Sequence, residues 1–106
     1  MADTIMSIQI IPKTPNGEDV IPYVDRAIEV IEASNLKYIV NPLETSIEGN
    51  MNELLKLIEL MNKEMREMGC PSIISQVKFY HAEEVSMDML VHKYRWWNML
   101  SFFYFS

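Results

Sequence analysis

The chain has 106 residues, room for one ordinary domain and too few for two. Apolar residues make up 49% and charged residues 23%, which excludes a disordered or collagen-like chain. Acidic residues number 15 against 9 basic ones, a net charge of −6, so the electrostatic footprint of a nucleic-acid binder is missing and an anionic bilayer would repel the protein.

Residues 4–11 alternate Met6, Ile8 and Ile10 against Ser7 and Gln9, the period of two that predicts a half-buried strand, with Pro12 expected to end it. After a Pro/Asn/Gly loop, Val20, Val24, Ala27, Ile28 and Ile31 recur at helical spacing opposite Asp25, Arg26, Glu29 and Glu32. Pro22 is tolerated only in a first turn, so this helix is predicted to begin near Ile21 and to stop at Asn35. Leu36 to Val40 and Thr45 to Ile47 read as a hairpin around Asn41-Pro42-Leu43. Asn50 with Glu53 three residues on is a helix start signal, and Met51, Leu54, Leu55, Ile58, Met61, Met65 and Met68 form the apolar stripe behind it. Gly69 and Pro71 close that helix, and Ile73 to Tyr80 makes a fourth strand. The order is β-α-β-β-α-β: an α+β, ferredoxin-like sandwich over residues 1–80, with a four-stranded antiparallel sheet and two helices on one face.

That plan leaves the second sheet face uncovered. Ile5, Ser7, Gln9 and Ile11 fall on it, joined by Gln76 and Lys78. Such a mixture is too apolar for idle exposure and too polar for a dry core, which indicates a subunit interface, a ligand platform, or both.

Signals of catalysis are missing. There is no glycine-rich phosphate loop, GxSxG elbow, CxxC or HExxH, and Gly17, Gly49 and Gly69 all sit in turns or caps. His81 and His92, with Glu83, Glu84 and Asp88 between them, are better read as polar loop residues than as metal ligands. Cys70 follows a helix C-terminus, where the dipole disfavours a thiolate, and reads as a small buried thiol. Glu44 and Glu48 could form an acid/base pair, but a solvated strand edge explains them as well. The expectation is no catalytic residue, no metal and no cofactor. The methionines of the second helix fit an irregular core or an adaptable binding surface. A lone cysteine cannot form an internal disulfide, and neither a leader nor an apolar run of roughly 18 residues is seen, so a cytoplasmic protein without a membrane partner is expected.

Several segments carry a resemblance: Ile10-Ile11-Pro12, Tyr23-Val24, Leu36-Lys37-Tyr38, Pro42-Leu43-Glu44-Thr45-Ser46-Ile47-Glu48-Gly49, and Met68-Gly69-Cys70-Pro71. Over about residues 4–80 the chain resembles the YkoF-like small thiamine-binding family, and Pro42 to Gly49 is the most specific piece. The resemblance implies ferredoxin-like domains that assemble through their sheets into a homo-oligomer, dimer or tetramer. It also implies binding of thiamine or its hydroxymethylpyrimidine half without chemistry, as a carrier, sensor or salvage accessory. Thr45 is the first polar ligand contact it carries over; Glu48, with Gly49, completes the motif, where structural roles compete with contact. Strand geometry adds Ser7 and Gln9 as candidate contacts, and Tyr38 is the nearest aromatic able to face a cationic thiazolium, or else a core aromatic on an edge strand. A sheet-mediated interaction or regulatory domain with no small-molecule ligand is the competing reading.

Residues 81–106 are expected to form a C-terminal helix and aromatic tail that pack on the domain or on a partner subunit. Ser86 is a plausible N-cap, while Phe79-Tyr80-His81-Ala82 departs from the charged residues the family resemblance implies there. Beyond it, Tyr94, Trp96, Trp97, Phe102, Phe103, Tyr104 and Phe105 gather seven of the eleven aromatics. Exposed, they would be an apolar patch prone to association.

Overall fold

Alternation along Thr4–Lys13 makes strand β1, whose Thr4, Met6 and Ile8 are buried while Gln9 and Ile11 are exposed. The computed structural model describes residues 2–92 and 94. After β1 come a 3-10 turn (Pro15–Gly17), α1 (Ile21–Ala33), β2 (Lys37–Val40), β3 (Thr45–Gly49), α2 (Met51–Glu67) and β4 (Ser72–His81). The four strands form one sheet in the order β2-β3-β1-β4, every neighbour antiparallel. This is the expected α+β, ferredoxin-like arrangement.

Local chemistry sets the helix ends. The Asp19 carboxylate accepts the Ile21 N–H at 3.1 Å, Pro22 sits in the first turn of α1, and Asn35 takes the left-handed conformation (φ 61°) just beyond its end. At the start of α2, the Asn50 N–H donates to Glu53 Oε1 at 3.0 Å and the Met51 N–H to Asp3 Oδ1 at 3.0 Å. Its other end is a Schellman closure: Gly69 at φ 94° donates to the Arg66 carbonyl (2.9 Å) and Cys70 to that of Met65 (3.1 Å). Gly49 packs closely, since a Cβ there would lie 3.3 Å from Leu36 Cδ1, a contact to which the Leu36 side chain would have to give way.

The core lies between sheet and helices. Met6, Ile8 and Ile47 meet Tyr23, Ala27 and Ile31 of α1 and Leu54, Leu57, Met61 and Met65 of α2. Met61 and Met65 are therefore core filler. Two local expectations are corrected. β1 runs through Pro12, which pairs with Ile73, because β1 has no β3 partner beyond Ile8 and a proline is tolerated along such an edge. Leu57, absent from the expected stripe, is 2% exposed, whereas Leu55 is 49% exposed. Spacing from Leu54 to Met61 is served by Leu57, and Leu55 lies about 100° round the helix from Leu54.

Past β4 the chain crosses the sheet face that the helices leave open. Ala82 and Val85 donate backbone hydrogen bonds to Asp3 and Ala2 (3.0 and 3.1 Å), the Met87 N–H donates to Glu48 Oε1 at 2.7 Å, and Lys37 pairs with Asp88. Helical backbone begins at residue 87, with Ser86 Oγ accepting the Met89 N–H at 3.4 Å. Val85 and Met87 are buried by this crossing. The aromatic run from Trp96 onward lies outside the described residues.

Two outcomes are expected. Leu57→Ala lowers the unfolding free energy by about 2–4 kcal/mol in urea titrations while Leu55→Ala stays within about 0.5 kcal/mol, and equal effects would contradict the packing. The Thr4 hydroxyl bond, followed by the Met51 N–H and nearby His81, holds the Asp3 carboxyl below the usual carboxylate range against the opposing effect of burial. A depressed folded value means stability present above the unfolded value and lost as pH falls through the folded one. The urea midpoint should thus drop below about pH 4 more steeply in wild type than in Asp3→Asn, and parallel curves would remove Asp3 from the acid response.

Candidate functional site

β1 outruns β3. Pairing with β3 stops at Ile8↔Thr45, whereas pairing with β4 continues to Lys13↔Ser72, so past Ile8 one edge of β1 has no strand partner. The β2–β3 turn folds beside that edge, closed by the Asn41 N–H donating to the Glu44 carbonyl at 2.8 Å. α1 roofs the gap with Val24, Ala27, Ile28 and Ile31. The result is a partly open cavity of about 230 Å³ between α1, β1 and residues 40–45.

Its walls are mainly apolar: Ile8 and Ile10 from β1, Val40, Pro42 and Leu43 from the turn, and Met61 at the back. Four polar residues also line it, Gln9, Asn41, Glu44 and Thr45. Thr45 is 8% exposed, with no hydrogen bond from its hydroxyl among the described residues, so a donor and acceptor is available at the cavity wall. Glu44 is exposed, and its Oε2 accepts the Ser7 hydroxyl at 2.5 Å.

Of the residues expected to contact a ligand, Thr45 and Gln9 line the cavity, but alternation with the buried Ile8 sets the Gln9 side chain on the open face. Ser7 itself lies on the open face, across from Ser46 and Lys78. Tyr38 and Glu48 lie elsewhere. Tyr38 is half-buried against the core beside Ile47, and Glu48 holds the Met87 amide. Sequence reasoning did not single out the roof. Val24 and Ile28 widened the α1 stripe beyond the buried row of Tyr23, Ala27 and Ile31, and that excess width was the signal.

The remaining titratable groups lie outside the cavity lining. The Tyr23 hydroxyl donates to the Glu18 carboxylate, and that bond together with burial pushes the phenol up to about 12. Burial, then the charge of Glu18, pushes the Cys70 thiol up, away from nucleophilic character. At the far end of β1, Thr4 Oγ1 donates to Asp3 Oδ1 (2.7 Å) and lies 2.9 Å from His81 Nδ1. With its single proton committed to Asp3, the hydroxyl accepts from a protonated Nδ1. The Glu44 carboxylate is turned to Ser7 on the open face, so the cavity offers apolar contact and hydrogen-bonding groups.

Comparison with known proteins gives a consistent picture. The family model described as "Thiamine-binding protein" matches residues 6–95. A UPF0045 protein of Clostridium perfringens (strain 13 / Type A) is 36% identical over 91 residues, covering 85% of this chain and 95% of that one. A domain of unknown function, DUF77, from Bacillus cereus superimposes with a TM-score of 0.81 at 29% identity, covering 88% of this chain and 90% of that one. A protein of Thermotoga maritima described as a candidate thiamine biosynthesis/salvage protein gives a TM-score of 0.77 at 26% identity, covering 87% and 98%. The family match runs past β4 into the segment that crosses the open face, further than the resemblance over residues 4–80. On these grounds the chain belongs to the thiamine-binding protein family.

Proposed function

We propose that the protein binds thiamine or its hydroxymethylpyrimidine half in the cavity beside Thr45, without transforming it, as a carrier, sensor or salvage accessory. One observation carries this reading: in a member of the thiamine-binding family, the most specific motif, Pro42 to Gly49, supplies Pro42 to Thr45 as one wall of an apolar slot. At about 230 Å³ the slot is smaller than the ~300–1,000 Å³ typical of sites for drug-sized ligands, and suits one flat ring better than two. An aminopyrimidine presents donors and acceptors along its edge. The Thr45 hydroxyl and the β1 edge beyond Ile8 are groups of matching kind.

Isothermal titration calorimetry with thiamine should give saturable micromolar binding, weakened about tenfold, or 1.4 kcal/mol, by Thr45→Val. No heat at millimolar thiamine from folded protein would overturn the assignment.

A separate observation supports self-association through the sheet. On the open face Ile11 (41% exposed) lies directly across from Ile74 (64% exposed), at the end of the sheet away from the crossing segment's contacts at Glu48 and Lys37. A second copy would bury these side chains and complete a homo-oligomer, dimer or tetramer. Light scattering should give a dimer or tetramer for wild type and a smaller species for Ile74→Glu; a wild-type monomer at micromolar concentration would refute it.

A further inference from the structure

The register of β1 decides which of its backbone groups face the cavity. In an antiparallel ladder the N–H and C=O of one residue turn to the same neighbouring strand, and successive residues turn to opposite neighbours. Ala82, next after β4, donates to the Asp3 carbonyl at 3.0 Å, one step beyond the pair Thr4↔His81. Asp3, Gln9 and Ile11 therefore turn their backbone groups toward β4, and Ile8 and Ile10 turn theirs to the β3 side. Pairing with β3 stops at Ile8↔Thr45, so among the described residues no strand receives the N–H and C=O of Ile10. Pro12, the next residue turned to that side, has no N–H to leave unmatched. Ile10 and Thr45 both line the cavity, and its wall supplies no Lys, Arg or His.

We propose that the main chain of Ile10 reads the ligand edge-on, as the missing strand would, and so selects a 4-aminopyrimidine over its 4-oxo counterpart. The proposal rests on the ligand-binding reading above and deepens it. A strand residue presents one donor and one acceptor side by side, in an order fixed by the chain direction. An aminopyrimidine edge is the complement: its amino N–H meets the carbonyl and its ring nitrogen accepts from the backbone N–H. Replacing the amino group by an oxo group reverses both, so that oxygen faces oxygen and N–H faces N–H. Turning the ring over restores the order only by exchanging the C5 substituent with the C2 methyl, and in thiamine the C5 substituent carries a second ring that a cavity of about 230 Å³ has to leave outside. Thr45 cannot draw this distinction. Its hydroxyl rotates to donate or to accept, so it serves either ring, and discrimination falls to the fixed backbone of Ile10. Between walls such as Val24, Ile28 and Pro42, mismatched polar groups lose their hydration without compensation.

Three probes separate the possibilities: thiamine, oxythiamine, in which 4-oxo replaces 4-amino, and pyrithiamine, which keeps the aminopyrimidine and replaces the thiazolium by a pyridinium. In calorimetric titrations of wild type, thiamine and pyrithiamine should bind within about threefold of each other, and oxythiamine about tenfold or more weaker. Thr45→Val should weaken thiamine and oxythiamine alike and leave their ratio unchanged. Hydrogen exchange followed by NMR then reads the backbone directly. Saturating thiamine should slow exchange of the Ile10 amide about tenfold, while the Gln9 and Ile11 amides, turned to β4 in the free protein, change little. Equal affinity for thiamine and oxythiamine, or an Ile10 amide unmoved at saturation, would overturn the role of Ile10 while leaving ligand binding intact. Failure of folded wild type to bind any of the three would overturn both.

Discussion

Unequal pairing of the two sides of β1 is the constraint on which the site depends. Along one edge the strand is matched to β4 from Thr4 to Lys13; along the other it is matched to β3 only from Thr4 to Ile8. Had β3 continued, its residues would fill the space under α1, and Val24 and Ile28 would be core. Because it stops at Thr45, the helix roofs a gap, and the β2–β3 turn is brought against an unpaired strand edge. Pro12 fits the same condition, as a residue with no backbone donor in a strand that lacks one neighbour.

Two carboxylates tie the rest of the chain to this sheet. Asp3 accepts from the Thr4 hydroxyl and from the first amide of α2, joining the start of β1 to the second helix. Glu48 accepts the Met87 amide on the opposite face, where a helical segment begins. Anions at helix N-termini are stabilised by unpaired amides and by the dipole, so both acids serve the fold where they stand. The open sheet face is thereby divided: its β2–β3 side receives the crossing segment, while Ile11 and Ile74 remain on its β1–β4 side. Glu44 differs in that its carboxylate takes a side-chain hydroxyl, that of Ser7, on the open face.

Much of the architecture was legible because its causes are local. A period of two along β1, helical spacing along α1 and α2, the Asn50/Glu53 start signal and the glycine at Gly69 each act within a few residues. Leu55 and Leu57 show where this stops. Both are leucines one turn from other apolar positions, and the choice between them depends on how α2 is rotated against the sheet, which spacing with several near-equivalent apolar rows does not specify. Thr45 was reachable by resemblance, through the Pro42 to Gly49 motif. Glu44 was visible only as half of an acid/base pair with Glu48, because two acids four residues apart look alike in sequence. Folding sets the Glu44 carboxylate on the Ser7 hydroxyl and the Glu48 carboxylate against a helix start.

Side-chain periodicity, capping chemistry and net charge belong to the chain itself, and they were enough for the α+β order, the strand faces and a site without phosphate-binding glycines. The length of β3 relative to β1, the rotation of α2 and the path of residues 82–88 over the open face belong to the packed molecule. Each is decided by which long-range pairs satisfy backbone and buried groups at once, and that is a property of the assembled tertiary structure.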